Sequence, residues 1–185
     1  MLRKNEVYEF YDRFYDLESG LYELQQRSRR KNIEIAGLPN DILDENLEST
    51  VINILNNGTE EDNPLRKDEI DAIHRLPSRG DFKPVIIRFS GRKRRDEIIE
   101  LNYTINDHDL APYGIENKIY INDSLSPKMK TLHYHARQLR RQQKNFKSSS
   151  ENGMLKIKLN EGAYWTKIRH EEDIEYLIPE YNFDH

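Results

Sequence analysis

Val85-Ile86-Ile87-Arg88-Phe89 is the stretch whose reading decides the fold. It is β-branched or aromatic apart from one arginine, with Phe82 and Pro84 ahead of it and Ser90-Gly91 behind. Such a short apolar run between turn residues predicts a strand with Val85, Ile87 and Phe89 turned to a core and Ile86 and Arg88 turned away. Working outward, Arg92 to Leu101 reads as a helix opening on Ser90-Gly91, and Ile70 to Leu76 alternates weakly as a strand closed by Pro77. Thr59 to Lys67 is an acidic loop. Before it, Leu43, Leu47, Val51 and Leu55 recur at helical spacing with Ile52 and Ile54 beside them, capped at Asp44 and stopped at Asn57-Gly58. Ile33 and Ile35 alternate with Glu34 in a further strand that Gly37 and Pro39 end. Downstream, Tyr103 to Asn117 is polar and turn-rich, and Ile119-Tyr120-Ile121 makes another strand.

The order strand, helix, strand, strand, helix, strand predicts an α+β fold: a ferredoxin-like unit of the kind found in RNA-recognition motifs, over residues 31–122. Residues 1–30 read differently. Val7, Phe10, Phe14, Leu17, Leu21 and Leu24 are spaced three, four, three, four, three on a helix broken by no proline. That narrow heptad seam predicts a coiled coil, with self-association as the way to cover it. Gly20 weakens the helix by about 1 kcal/mol, so stable pairing needs help from the rest of the chain. The seam runs into the basic cluster Arg27-Ser28-Arg29-Arg30-Lys31.

Residues 123–185 read as a small α+β unit. Asp123-Ser124-Leu125-Ser126-Pro127 starts a basic helix from Lys128 to Lys144, and Ser148 to Gly153 reads as a linker. Met154 to Leu159 and Ala163 to Arg169 form a hairpin across Asn160-Glu161-Gly162, with Trp165 the expected anchor of the core. Glu171 to Ile178 is a short helix stopped by Pro179.

In this chain of 185 residues, 34% are charged and 36% hydrophobic, which implies thin cores, while eleven Tyr, six Phe and one Trp argue against wholesale disorder. The absence of cysteine excludes disulfides, thiolate zinc sites and a thiol nucleophile, and fits a reducing compartment. No apolar run approaches the roughly 20 residues that cross a bilayer, and Glu6 and Glu9 do not suit a signal peptide. The expectation is a soluble intracellular protein, cytoplasmic or nuclear. The net charge of −4 hides segregation. Ser124 to Ser149 holds basic residues and no acid, whereas Glu171 to His185 holds acids and neither Lys nor Arg. Local field governs binding more than the total does.

Here a resemblance enters. Arg29-Arg30-Lys31-Asn32-Ile33-Glu34-Ile35-Ala36-Gly37-Leu38-Pro39 after a heptad helix resembles the RNA-recognition-like domain of LINE retrotransposon first-reading-frame proteins, as do Ile73-His74-Arg75-Leu76-Pro77 and Lys83-Pro84-Val85-Ile86-Ile87-Arg88-Phe89. Ile119-Tyr120-Ile121-Asn122-Asp123-Ser124-Leu125-Ser126-Pro127, Ala136-Arg137-Gln138-Leu139-Arg140-Arg141, Asn152-Gly153 and Lys167-Ile168-Arg169-His170-Glu171-Glu172-Asp173 resemble the baculovirus few-polyhedra (FP) protein family and its retroelement relatives. The resemblance implies a coiled-coil oligomer, trimeric in the retroelement members, holding single-stranded nucleic acid in a basic cleft between the RNA-recognition-like and C-terminal domains. Relatives often have Arg where this chain has Glu34, and a paired Arg-Arg early in the long helix is replaced here by Met129-Lys130.

The basic residues expected to meet phosphates are Arg29, Arg30, Lys31, Arg75, Arg88, Arg94, Arg95, Lys128, Lys130, Arg137, Arg140, Arg141 and Lys144, together with Arg79, Arg92 and Lys93. A charge run is ordinarily a solvated face. The segment with Arg137, Arg140, Arg141 and Lys144 stands out because these cations share a face without acidic neighbours. The outward positions of the first and third strands, Glu34, Ala36, Ile86 and Arg88, offer no ring for base stacking; Tyr120 on the fourth strand either stacks or packs. Binding is therefore expected to be electrostatic and weakly selective. His133-Tyr134-His135 lacks metal-ligand spacing, Asp107-His108-Asp109 reads as a turn, and no phosphate loop, HExxH or serine elbow occurs. The expectation is a non-enzyme that needs no cofactor, associates with itself, binds single-stranded RNA or DNA and acts as a nucleic-acid chaperone. The rival expectation is a viral or retroelement scaffold working through protein contacts.

Overall fold

The computed structural model describes residues 4–78, 83–100, 110–115 and 118–178. Arg79, Phe82, Leu101, Tyr103, Asp107-His108-Asp109, Asn117, Pro179 and His185, all named above, lie outside the described residues. The elements run α1 (Lys4–Ser28), β1 (Asn32–Ala36), α2 (Asp44–Asn56), β2 (Ile70–Arg75), β3 (Val85–Phe89), α3 (Arg92–Glu100), β4 (Tyr120–Asp123), α4 (Pro127–Gln142), β5 (Lys147–Glu151), β6 (Met154–Lys158), β7 (Thr166–Lys167) and α5 (Glu171–Leu177). The class is α+β, with antiparallel sheets and a long N-terminal helix. Two compact units divide the chain: Arg30–Ser124, and Met1–Arg29 joined with Leu125–His185.

In the Arg30–Ser124 unit the strands lie in the order β2-β3-β1-β4. The register sets Ile33 against Ile87 and Ile35 against Val85 and Ile121, so one face of the sheet is aliphatic. That face forms a common core with Leu47, Val51, Ile54 and Leu55 of α2 and Ile98 of α3. The periods thus bury Leu47, Val51 and Leu55 as the sequence spacing predicts, whereas Leu43, the first residue of that spacing, is the N-cap of α2 and is exposed. Leu110 and Ile115, within the stretch expected to be polar and turn-rich, also belong to this core, on either side of a turn at Ala111–Tyr113. The acidic loop is tied down by Asn56, whose side chain accepts from the Leu65 backbone N–H and donates to its carbonyl. Gly37 has φ +96°, and a Cβ there would lie 2.5 Å from the Lys118 carbonyl oxygen. Only glycine lets the end of β1 pass so close to the residues leading into β4.

The second unit has its own core, in which Met129, Leu132, Ala136 and Leu139 of α4 meet Leu155 and Ile157 of β6, together with Phe146, Ile168 and Ile174. Ser126 caps α4, its Oγ accepting from the Met129 N–H, and Pro127 takes the first helical position. Three expectations need correction here. Residues 148–153 are no linker: β5 pairs with β6 throughout, closed by Asn152 at φ 55° and Gly153 at φ 78°. Asn-Gly with two positive φ values is the hairpin-turn signal that the serine run masked. Trp165 is not the core anchor, being 48% exposed, because the interior is filled by aliphatic residues and Phe146. Finally, α4 stops at Gln142, so Lys144 lies past the helix and does not continue the face of Arg137 and Arg141.

α1 belongs to this unit because it has two working faces. Tyr15, Ser19, Tyr22, Glu23 and Gln26 engage the C-terminal residues. Gln26 is buried, and its Oε1 accepts from the Ser126 N–H. The Ser19 hydroxyl meets His170 Nε2, and the rings of Tyr15 and Tyr22 lie 4.2 and 5.5 Å from the His170 ring. Glu23 accepts from both Lys167 and Arg169. The heptad set lies about 150° round the helix from this face, at about 100° per residue. There Phe10, Phe14, Leu17, Leu21 and Leu24 are exposed and Val7 half-buried.

Candidate nucleic-acid interface

The basic residues separate by what surrounds them. α3 has four consecutive cations, and each meets a carboxylate. Arg92 pairs with Asp96 and Lys93 with Glu97, while Arg94 meets Glu69 and Glu97 and donates to the Asn63 carbonyl. Arg95 is buried, donating to Asp96, Asp123 and the Asn32 carbonyl. It joins α3 to the ends of β1 and β4. The expectation that Arg94 and Arg95 reach phosphates thus meets two side chains already held inside their own unit.

Other expected cations are also engaged. Arg75 donates to the Pro39 and Lys83 carbonyls, holding the segment after β2. Arg88 pairs with Asp71 across the β2–β3 ladder, and Lys31 donates to the Ser90 carbonyl. Lys128 pairs with Glu171 and lies 5.6 Å from the centre of the Tyr22 ring, within the contacts that seat α1. Arg29 and Arg30 are half-buried, and each has a buried Nε without a hydrogen-bond partner.

The outer side of α4 differs. Arg137, Arg140, Arg141 and Lys144 are exposed, and no carboxylate among the described residues pairs with them. The helix buries Met129, Leu132, His135, Ala136 and Leu139, which turns positions 130, 134, 137 and 141 to the opposite side at four, three and four residues apart. Lys130, Arg137 and Arg141 are therefore in line with Tyr134, whose ring is 52% exposed. An aromatic between cations on one stripe offers both parts of single-strand binding, a π-face for bases and charge for phosphates. The sequence analysis gave His133-Tyr134-His135 only a metal reading, although the 130–134–137–141 spacing was already there. The neighbouring histidines turn elsewhere: His135 is buried and His133 meets the Gly153 carbonyl. Among the described residues no metal-holding cluster is found.

In the other unit, the face of the sheet opposite α2 and α3 carries Glu34, Ile86, Arg88, His74 and Asn122 by register. Ile86 is buried there, between Glu34 and His74 on the neighbouring strands. Neither β1 nor β3 presents a ring. Tyr120 on β4 is 49% exposed, with the Lys118 ammonium 5.7 Å from its ring centre, so it does not pack in the core.

Ser19, His170 and Asp173 have the composition of a catalytic triad but not its geometry. One Asp173 oxygen accepts from the Arg169 and His170 backbone N–H groups, and the other accepts from the Tyr15 hydroxyl. The carboxylate closes the first turn of α5 and makes no contact with the imidazole it would have to orient. Partial burial, then the hydrogen bond to Asp173, push the Tyr15 phenol up to about 12. Burial and the bond to Glu18 raise Tyr22, while the hydrogen bond from Lys167 lowers Glu23. Among the described residues, no helix is long and apolar enough to cross a membrane. Compared with protein-family models and with curated protein sequences, the chain matches none.

Proposed function

We propose that the chain is a self-associating, non-enzymatic protein that binds single-stranded nucleic acid with little sequence preference. The observation that carries this reading is the contrast between two basic helices. α3 neutralises its cations internally, whereas Arg137, Arg140 and Arg141 of α4 and Lys144 just past it are exposed, with Arg137 and Arg141 in line with the Tyr134 ring. Exposed unpaired cations in one patch repel one another and favour a polyanion. The strand order β2-β3-β1-β4 supports a ferredoxin-like reading of the Arg30–Ser124 unit. With the ordered motifs quoted above, it supports kinship with FP and LINE first-reading-frame proteins. The exposed heptad seam of α1 supports a homo-oligomer, and multiplying a weak basic surface by self-association raises avidity without new contacts.

The test compares the two basic helices. Fluorescence anisotropy with a labelled oligouridylate is expected to show the Arg137→Ala/Arg140→Ala/Arg141→Ala protein binding about tenfold or more weakly. An Arg92→Ala/Lys93→Ala protein should stay within about threefold of the parent, since those cations already face carboxylates. Equal losses in both proteins, or none in either, would turn the reading to a scaffold acting through the α1 seam.

A further inference from the structure

We propose that the outer face of the β5–β6–β7 sheet is a second single-strand contact, with Trp165 as its stacking platform. This rests on the nucleic-acid reading but on a different element from α4. The register places Lys147 opposite Lys158 in the β5–β6 ladder and Lys156 opposite Lys167 in the β6–β7 ladder. Leu155 and Ile157 alternate with them and are buried, so all four lysines belong to the face turned away from the core. Like charges directly opposite each other are unfavourable in an antiparallel pair. The Lys147–Lys158 pair is a local conflict that a fold selected for stability alone would not keep. Lys167 pairs with Glu23 of α1. Lys147 and Lys158 have no carboxylate partner among the described residues.

Trp165 stands immediately before β7 and two residues before Lys167, so continuing the alternation of the strand would bring it to the lysine side, and it is 48% exposed. Tyr164 beside it is exposed as well. A half-bare indole at the margin of a lysine face needs a planar, anionic partner. Single-stranded RNA or DNA supplies both a base to stack on the ring and phosphates for the lysines. A duplex keeps its bases stacked on one another, so it meets the charge and misses the ring. An anionic bilayer would satisfy the lysines, but insertion calls for a broader apolar face than Trp165 and Tyr164 supply.

Trp165 is the only tryptophan in the chain, so its emission reports on this face alone. The full-length protein is titrated with oligouridylate, with a blunt RNA duplex and with phosphatidylserine vesicles, following tryptophan fluorescence and, for the RNAs, anisotropy in parallel. Oligouridylate should quench the emission along the same curve as the anisotropy, and the duplex should bind without quenching. Trp165→Ala should bind about tenfold more weakly and Trp165→Phe within about threefold. Lys147→Ala/Lys158→Ala should flatten the salt slope by about 1.4, for two phosphates on a single strand. Circular dichroism checks that these variants keep their fold. Oligonucleotide binding with unchanged emission and parent-like Trp165→Ala affinity overturns this proposal and leaves the α4 reading standing. An Arg137→Ala/Arg140→Ala/Arg141→Ala protein that still shows quenching supports it independently. Failure of the parent to bind any oligonucleotide overturns both, and quenching by vesicles alone assigns the face to membranes.

Discussion

Tyr15 shows how much a single side chain can say about docking. Its hydroxyl donates to Asp173 and its ring lies on His170, and partial burial raises its ionisation to about 12. A phenol held above its ordinary value of about 10 favours the folded state while it is protonated. That contribution is complete below pH ~10 and disappears as the pH climbs toward ~12. We therefore expect the α1 contact to loosen in that alkaline window, and Tyr15→Phe to remove this part of the pH dependence. Spectrophotometric tyrosine titration with denaturant melts at several pH values measures it, and a Tyr15 that titrates with the exposed tyrosines would refute the contact. Glu23 acts at the other end: its carboxyl is lowered by Lys167, so its contribution is present above the ordinary carboxylate range and fades as pH falls through its lowered value. Gly37 is a different case, where a residue matters through what it lacks. Gly37→Ala brings a Cβ against the Lys118 carbonyl at a left-handed φ, which we expect to cost about 2 kcal/mol or more. A chemical-denaturation midpoint unchanged from the parent would show that the β1 end relaxes freely.

Among the elements, α1 has the most unusual position. One face is held by Gln26, Ser19, Tyr15 and Glu23, and the other exposes Leu17 at 74% with Phe10, Phe14, Leu21 and Leu24 beside it. Docking supplies the ordering that a short isolated helix cannot provide, so the seam is presented already helical. Association through it would then array copies of the whole Leu125–His185 portion, not of a loose tail. Leu17→Asp/Leu21→Asp should lower the solution mass by light scattering, by placing charge in a buried seam, and leave the melting temperature of the monomer nearly unchanged. If parent and double mutant share one mass, the seam is not the oligomerisation surface. α3 and α4 make a complementary pair of cases. Both are basic in sequence, but carboxylates answer the cations of α3, whereas Arg137, Arg140 and Arg141 of α4 have no carboxylate partner among the described residues.

For the whole molecule, the formal charge of −4 hides how locally the acids are used. Asp96, Glu97, Glu69 and Asp123 answer α3, and Glu171 and Glu23 answer Lys128, Lys167 and Arg169. Arg137, Arg140, Arg141, Lys144, Lys147 and Lys158 have no carboxylate partner among the described residues, and the proposed ligand would meet them. Binding of a homopolymeric single strand should then weaken as salt rises, with a slope of about −0.7 per phosphate contacted. It should differ little between uridylate and adenylate tracts. Anisotropy at several salt concentrations measures both, and a flat response or a strong preference for one short motif would count against electrostatic binding.

The α+β class, the strands around Ile33, Ile87 and Ile121, the capped start of α4 and the heptad spacing of α1 were legible in the sequence. Each is a local pattern in which the period of apolar residues and the chemistry of a cap or turn agree, so no distant residue is needed to read it. The Asn152-Gly153 hairpin was legible too, but the serines before it hid the strand. The fate of individual cations could not be read in this way. Arg94, Arg95 and Lys128 are distinguished from Arg137 and Arg141 by acids that folding brings near them, from as far along the chain as Glu69 to Arg94, Asp123 to Arg95 and Glu171 to Lys128. Only tertiary structure decided that α1 docks through Tyr15, Ser19, Glu23 and Gln26, and that Trp165 stays outside the core. Which face of an amphipathic helix is covered, and which charge is answered, depend on partners far away in the chain, and sequence spacing does not record them.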